Sequence, residues 1–120
     1  MAVTYTTAAL VKKRVKYIST SLLDADIEEN ILQVESFIDS IMRATARGTS
    51  PDFTFDSNKH GLIRVCATDH AAYLCIIYDP SEFPSLDDVE VVASLLWNSV
   101  AMALSLLADP RIVDQLKSYA

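Results

Sequence analysis

Asp24-Ala25-Asp26-Ile27-Glu28-Glu29-Asn30-Ile31-Leu32-Gln33-Val34-Glu35-Ser36-Phe37-Ile38-Asp39-Ser40-Ile41-Met42-Arg43 is the stretch that decides the fold. Ile27, Ile31, Val34, Ile38 and Ile41 recur in it at spacings of four, three, four and three. A helix returns to the same face at those steps, so the spacing draws one apolar stripe for packing against other helices. Glu28, Glu35 and Asp39 fall off the stripe and are expected to face water. Asp24 reads as the N-cap, and Asp26, Glu28 and Glu29 load the start of the helix with negative charge, which suits its positive dipole end. Arg43 stands in the last turn, where a cation is favoured.

Toward the N-terminus, a first helix is expected over 7–18, capped by Thr6 or Thr7, with Leu10, Val11, Val15 and Ile18 as its stripe. Ser19-Thr20-Ser21 breaks it. Toward the C-terminus the pattern stops at 46–59, where Gly48, Ser50, Pro51, Asp52, Asp56, Ser57 and Asn58 mark a long loop. Within that loop Phe53-Thr54-Phe55 alternates as a short strand does. A third helix is expected over 59–78, with Leu62, Cys66, Asp69 or His70, Tyr73 and Ile77 along one face. Asp79-Pro80 ends it, because the residue before a proline leaves the α region, and 81–84 is a linker. A fourth helix opens at Ser85-Leu86-Asp87-Asp88, with Ser85 as cap and Asp88 at the reciprocal capping position. It runs to about Ala108, is apolar on most sides, and is expected to be the central, most buried helix. Asp109-Pro110 starts a short final helix.

These elements define an all-α chain: an antiparallel bundle of four main helices plus a short C-terminal helix, with a long loop between helices 2 and 3. One domain spans 1–120, with 1–6 and 115–120 as ends that can stay flexible. The stripe of the second helix is expected to pack on Val92, Leu95, Leu96 and Met102 of the fourth.

Composition agrees with helices. There are 2 glycines, Gly48 and Gly61, and 4 prolines, too few turn residues for an all-β fold. Neither glycine lies in a phosphate-cradling motif. Apolar residues make up 51% of the 120 residues, and mean hydropathy is +0.23. That surplus reads either as a subunit interface or as an Ala-rich helical core. A net charge of −6 disfavours tight nucleic-acid binding. The local exception, Lys12, Lys13, Arg14 and Lys16, reads as a solvated helix face before it reads as a phosphate patch. Residues 1–7 are polar and carry no apolar signal-peptide core, so a soluble, intracellular protein is expected. The apolar run 91–107 is interrupted by Asn98 and serines and is short for a membrane span.

Cys66 and Cys75 are nine apart on one helix, roughly 13 Å along its axis, too far to pair within it. His60, Cys66, Asp69, His70 and Cys75 cluster in sequence, but a zinc site wants donors from a second element, and the other helices offer no further His or Cys. No GxSxG elbow is present. The acidic pairs Asp24/Asp26, Glu28/Glu29 and Asp87/Asp88 sit at helix starts, where the dipole accounts for them. Trp97 reads as a core anchor. The residues therefore give no catalytic, metal or cofactor site, and the chain is expected not to be an enzyme.

Two stretches carry a resemblance. Ala8-Ala9-Leu10-Val11-Lys12 followed by Asp24-Ala25-Asp26-Ile27-Glu28-Glu29-Asn30-Ile31-Leu32 is one. Ala67-Thr68-Asp69-His70-Ala71-Ala72-Tyr73 followed by Asp79-Pro80-Ser81-Glu82-Phe83 is the other. In that order they resemble the head–tail connector, or head-completion and adaptor, proteins of tailed bacteriophages and prophages. The resemblance covers about 8–107, and its motifs are helix caps and small packing residues. It implies a structural protein of the virion neck, made in the host cytoplasm. Such a subunit forms a homo-oligomeric ring under the portal, extends the DNA channel and offers a platform to the tail or stopper protein. Double-stranded DNA would be only a passing cargo, with no membrane or small-molecule substrate. It also implies subunit contacts through the loop, at Asp52, Phe53, Thr54 and Phe55, and portal or partner contacts near the chain end, at Arg111, Gln115 and Lys117. The tail after Leu107 is shorter than the family pattern, which bears on the portal contact. The competing reading is a small helical protein-binding module, regulatory or chaperone-like, docking a partner helix in an apolar groove.

Overall fold

A computed structural model of the chain describes residues 4–15, 18, 22–45, 60–79 and 83–113. Among these the regular structure is all helix: α1 (Ala8–Arg14), α2 (Asp24–Thr45), α3 (Gly61–Tyr78) and α4 (Leu86–Leu107), with a last helical turn at 110–113. The expected loop 46–59, and the strand expected within it, lie outside the described residues.

The stripe of α2 forms as its spacing predicts. Ile27, Ile31, Val34 and Ile38 are buried, Ile41 is partly buried, and Met42 continues the line inward. The cap differs from expectation. The carbonyl of Leu23 accepts the first helical bonds, from Asp26 N and Ile27 N, so Leu23 is the N-cap and Asp24 the first helical residue. Asp26 reaches back to accept from Leu23 N at 3.2 Å, half of a capping box, and Asp24 pairs instead with Lys12 at 2.5 Å. Glu35, expected in water, is buried. Its Oε2 accepts from Thr4 N at 2.8 Å and Tyr5 N at 2.6 Å. The Tyr5 hydroxyl donates to Asp39. Residues 4–6, expected within a flexible end, thus pack onto α2 and α3, the latter through Thr6 and Thr68 hydroxyls 2.7 Å apart.

Thr7 caps α1, its Oγ1 accepting from Leu10 N. The helix stops at Arg14 rather than near Ile18. Seven residues are too few to sustain a helix by themselves, and β-branched Val15 takes the extended conformation it favours (φ −132, ψ 126). Both Val15 and Ile18 are nevertheless buried. Packing, not helical periodicity, places them.

The central helix is α3, not α4. It touches α1, α2 and α4, and it buries Ile63, Cys66, Ala67, Thr68, Asp69, Ala71, Ala72, Cys75 and Ile76. Small alanines let three neighbours approach it closely. Ile77, expected on its packed face, is exposed. α3 ends at Tyr78, and Asp79 is extended before Pro80 as expected. Helix α4 packs mainly on α3 and buries only Leu96, Val100, Ala103 and Leu107. Of the residues expected to receive the α2 stripe, Leu96 and Val92 join the core, whereas Leu95 and Met102 are exposed. Ser85 caps α4, accepting from Asp88 N at 3.2 Å. Asp109 caps the final turn, its Oδ1 accepting from Arg111 N and its carbonyl from Ile112 N and Val113 N.

Candidate functional site

Helix α4 has two apolar faces, roughly 120° apart around its axis. Leu96, Val100, Ala103 and Leu107 face α3. Val91, Leu95, Met102 and Leu106 form the second face and are 58, 64, 69 and 41% exposed. At 100° per residue those four fall within roughly 60° of arc. Single exposed apolar residues are ordinary, but four in line over four turns form a patch of the kind that marks an interaction surface. By length and composition α4 also meets the requirement for a membrane-crossing helix, with the 22 residues of Leu86–Leu107 exceeding the run read from the sequence.

A second feature is a cleft of about 510 Å³ between α1, α3 and α4, lined by Leu10, Lys13, Arg14, Arg64, Val65, Thr68, Asp69 and Ser99. Asp69 stands at its base with a side chain only 2% exposed. Its Oδ1 accepts from Arg14 Nε at 2.6 Å and its Oδ2 from Ser99 Oγ at 2.5 Å. One carboxylate therefore ties three helices together. Arg64 donates to the carbonyl of Tyr5 at 3.0 Å. With three cations against one carboxylate, the cleft is a positive spot on an acidic chain.

A third cluster crosses the three long helices. His70 on α3 meets Phe37 of α2 edge-on at 5.7 Å and Trp97 of α4 edge-on at 5.8 Å, and Tyr73 lies 5.2 Å from Trp97. The His70 Nδ1 is buried with no hydrogen-bond partner, and burial holds the imidazole pKa below its usual value. Trp97, expected as a core anchor, sits at the edge of the core and is partly exposed.

The thiols are buried and unpaired with each other. Burial, then the nearby Asp69, pushes the Cys66 pKa up to about 12. Burial raises that of Cys75, against a weak opposing bond from Asn30. Both are thus protonated at neutral pH and are poor nucleophiles there. No three His, Cys, Asp or Glu side chains among the described residues come together as metal donors.

Of the residues expected at subunit or partner contacts, Asp52, Phe53, Thr54, Phe55, Gln115 and Lys117 lie outside the described residues. Arg111 is described, with its side chain 90% exposed and paired to Asp109 at 3.2 Å. Sequence reading missed the outer stripe of α4, although its spacing of four, seven and four was there to be counted. It also missed Asp69 as a hub, which no sequence signal announces, because Arg14 and Ser99 lie 55 and 30 residues away.

The described residues form an all-helical protein with an exposed apolar stripe, a cationic cleft and an aromatic cluster. The chain matches no protein-family model, no curated protein and no solved structure.

Proposed function

We propose that the chain is a non-catalytic structural subunit that assembles with copies of itself. Specifically, it is a head–tail connector of a tailed phage or prophage. Its helices form an antiparallel bundle, and the subunits form a ring under the portal that extends the DNA channel and seats the tail or stopper protein. The observation that carries self-assembly is the exposed stripe Val91, Leu95, Met102 and Leu106, on a helix whose other apolar face already fills the core. The connector assignment rests on the sequence resemblance alone. The net charge of −6 suits a channel through which DNA slides without sticking. On this reading the protein is made in the host cytoplasm and ends in the virion neck. Sedimentation velocity and negative-stain imaging, alone and with an added portal ring, test it. Ring-shaped particles are the expected result, and a monomer under every condition would overturn the assignment.

A second reading has its own observation. The cationic cleft between α1, α3 and α4 fits a helical binding module that holds an acidic partner. A monomer that saturably binds acidic peptides, and loses them when Lys13 and Arg64 are neutralised, would favour it.

A further inference from the structure

The geometry points to the cleft between α1, α3 and α4 as a binding site for a small phosphate monoester, its oxygens on Lys13, Arg14 and Arg64 and its apolar body on Leu10 and Val65. Two helix faces build the cleft. On α1, Lys13 and Arg14 follow Leu10 at three and four residues, which puts all three on one side. On α3, Arg64 and Thr68 are four apart, and so are Val65 and Asp69, giving two neighbouring rows. Ser99 of α4 closes the base through its 2.5 Å bond to Asp69. The volume of about 510 Å³ falls within the range of small-molecule sites, roughly 300–1,000 Å³.

Charge and donor count select the ligand. Asp69 is the one carboxylate among the described lining residues, and each of its oxygens already accepts a bond. It takes Arg14 through Nε, and the Arg14 side chain stays half exposed. Lys13 is exposed and pairs with no carboxylate among the described residues. Arg64 is held by its Nε on the Tyr5 carbonyl, in the first turn of α3, where the positive end of the helix dipole disfavours a cation. The dipole accounts for Lys13 and Arg14, at the end of α1, but not for Arg64. The cleft thus holds two positive charges in excess on a chain at −6, and its low-dielectric walls focus that field. A phosphate monoester answers with about two negative charges at neutral pH and three acceptor oxygens, one for each cation. A carboxylate brings one charge and two oxygens. Val65 is half exposed on the helix that otherwise forms the centre of the core, and it gives the apolar part of the ligand a wall.

This site rests on the cleft as a binding surface, as in the second reading above, and is independent of the ring. Titration calorimetry on the full chain tests it, with phenyl phosphate as the probe and inorganic phosphate, benzoate, acidic peptides and a phosphoserine peptide beside it. Phenyl phosphate should bind once per chain. It should bind roughly tenfold tighter than inorganic phosphate, which lacks the apolar body, and than benzoate, which lacks the second charge and the third oxygen. Lys13→Gln should weaken it roughly tenfold, and Val65→Asp should abolish it. Lys12→Gln, whose side chain pairs with Asp24 and does not line the cleft, should leave it unchanged. All three positions are exposed, so the helical circular dichroism should match the parent in each variant. Equal affinity for benzoate and phenyl phosphate, or no loss in Lys13→Gln, would overturn the proposal. A phosphoserine peptide that binds more tightly than phenyl phosphate would overturn it too, by giving the cleft to a phosphorylated protein. Acidic peptides that bind where phenyl phosphate does not would sink the small ligand and keep the second reading. Phenyl phosphate that binds where acidic peptides do not would keep the site and sink that reading, and no binding by any probe would sink both.

Discussion

Ile31 and Ile38 are fully buried on α2. Truncating either to alanine removes three carbons from a packed interior and leaves a cavity. The expected loss is about 2–5 kcal/mol in urea unfolding. A loss under about 0.5 kcal/mol would place the stripe in solvent. Ser99→Ala probes the Asp69 hub. It deletes one of two hydrogen bonds to a buried carboxylate and should cost about 1.5–3 kcal/mol, far more than Ser94→Ala on the exposed face of the same helix. His70 should make stability depend on pH. Its folded-state pKa lies below the usual value because of burial, so the unfolded chain binds the proton more readily. Stability is then full above about 6.5 and falls as pH drops from there toward the lowered folded value. Chemical denaturation between pH 7.5 and 5.5 should show this slope in the parent and a shallower one in His70→Asn.

At the scale of elements, capping and burial contribute differently from helix to helix. α4 has a serine cap in good geometry, and Ser85→Ala should lower stability by about 1 kcal/mol. α2 lacks a polar cap residue. Its start is held by Asp26 and by the Lys12–Asp24 pair, which is exposed and worth little. Asp24→Ala should accordingly change unfolding by less than Ser85→Ala, although sequence reading made Asp24 the cap. The stripe of α2 was legible because one face of that helix is buried and the period of burial is written in its isoleucines. The end of α1 was not. Val15 and Ile18 are apolar at helical spacing, yet the chain leaves the helix before both and still buries them. Periodicity records which residues want burial, not the backbone path that achieves it.

For the whole molecule, the sequence surplus of apolar residues has a specific address. Much of it lies on α4, where an apolar helix taken to be the core is instead half outside. Hydrophobicity alone could not separate the two cases, since a helix apolar on two faces can be either central or shared with a partner. The central place went to α3, because its alanines and Thr68 permit close approach on several sides. If the loop also holds subunits together, Phe53→Ser with Phe55→Ser should leave a soluble, helical protein that no longer forms large particles in sedimentation. Loss of helical circular dichroism would assign the two phenylalanines to the core, and unchanged assembly would remove the loop from the contact.

The sequence by itself determined the helical class, the positions of α2, α3 and α4 to within a few residues, the inward face of α2 and the serine cap of α4. Each is local: periodicity, caps and prolines act within a few residues along the chain. Only the tertiary structure decided which helix is central, that Glu35 turns inward to bind the backbone at Thr4 and Tyr5, and that Asp69 joins Arg14 to Ser99. It alone also decided that Leu95 and Met102 face outward. Those outcomes depend on which surfaces meet across 30 or more residues of chain. Burial of a polar group is settled by the partner that satisfies it, and no pattern local to Glu35 or Asp69 carries the identity of that partner.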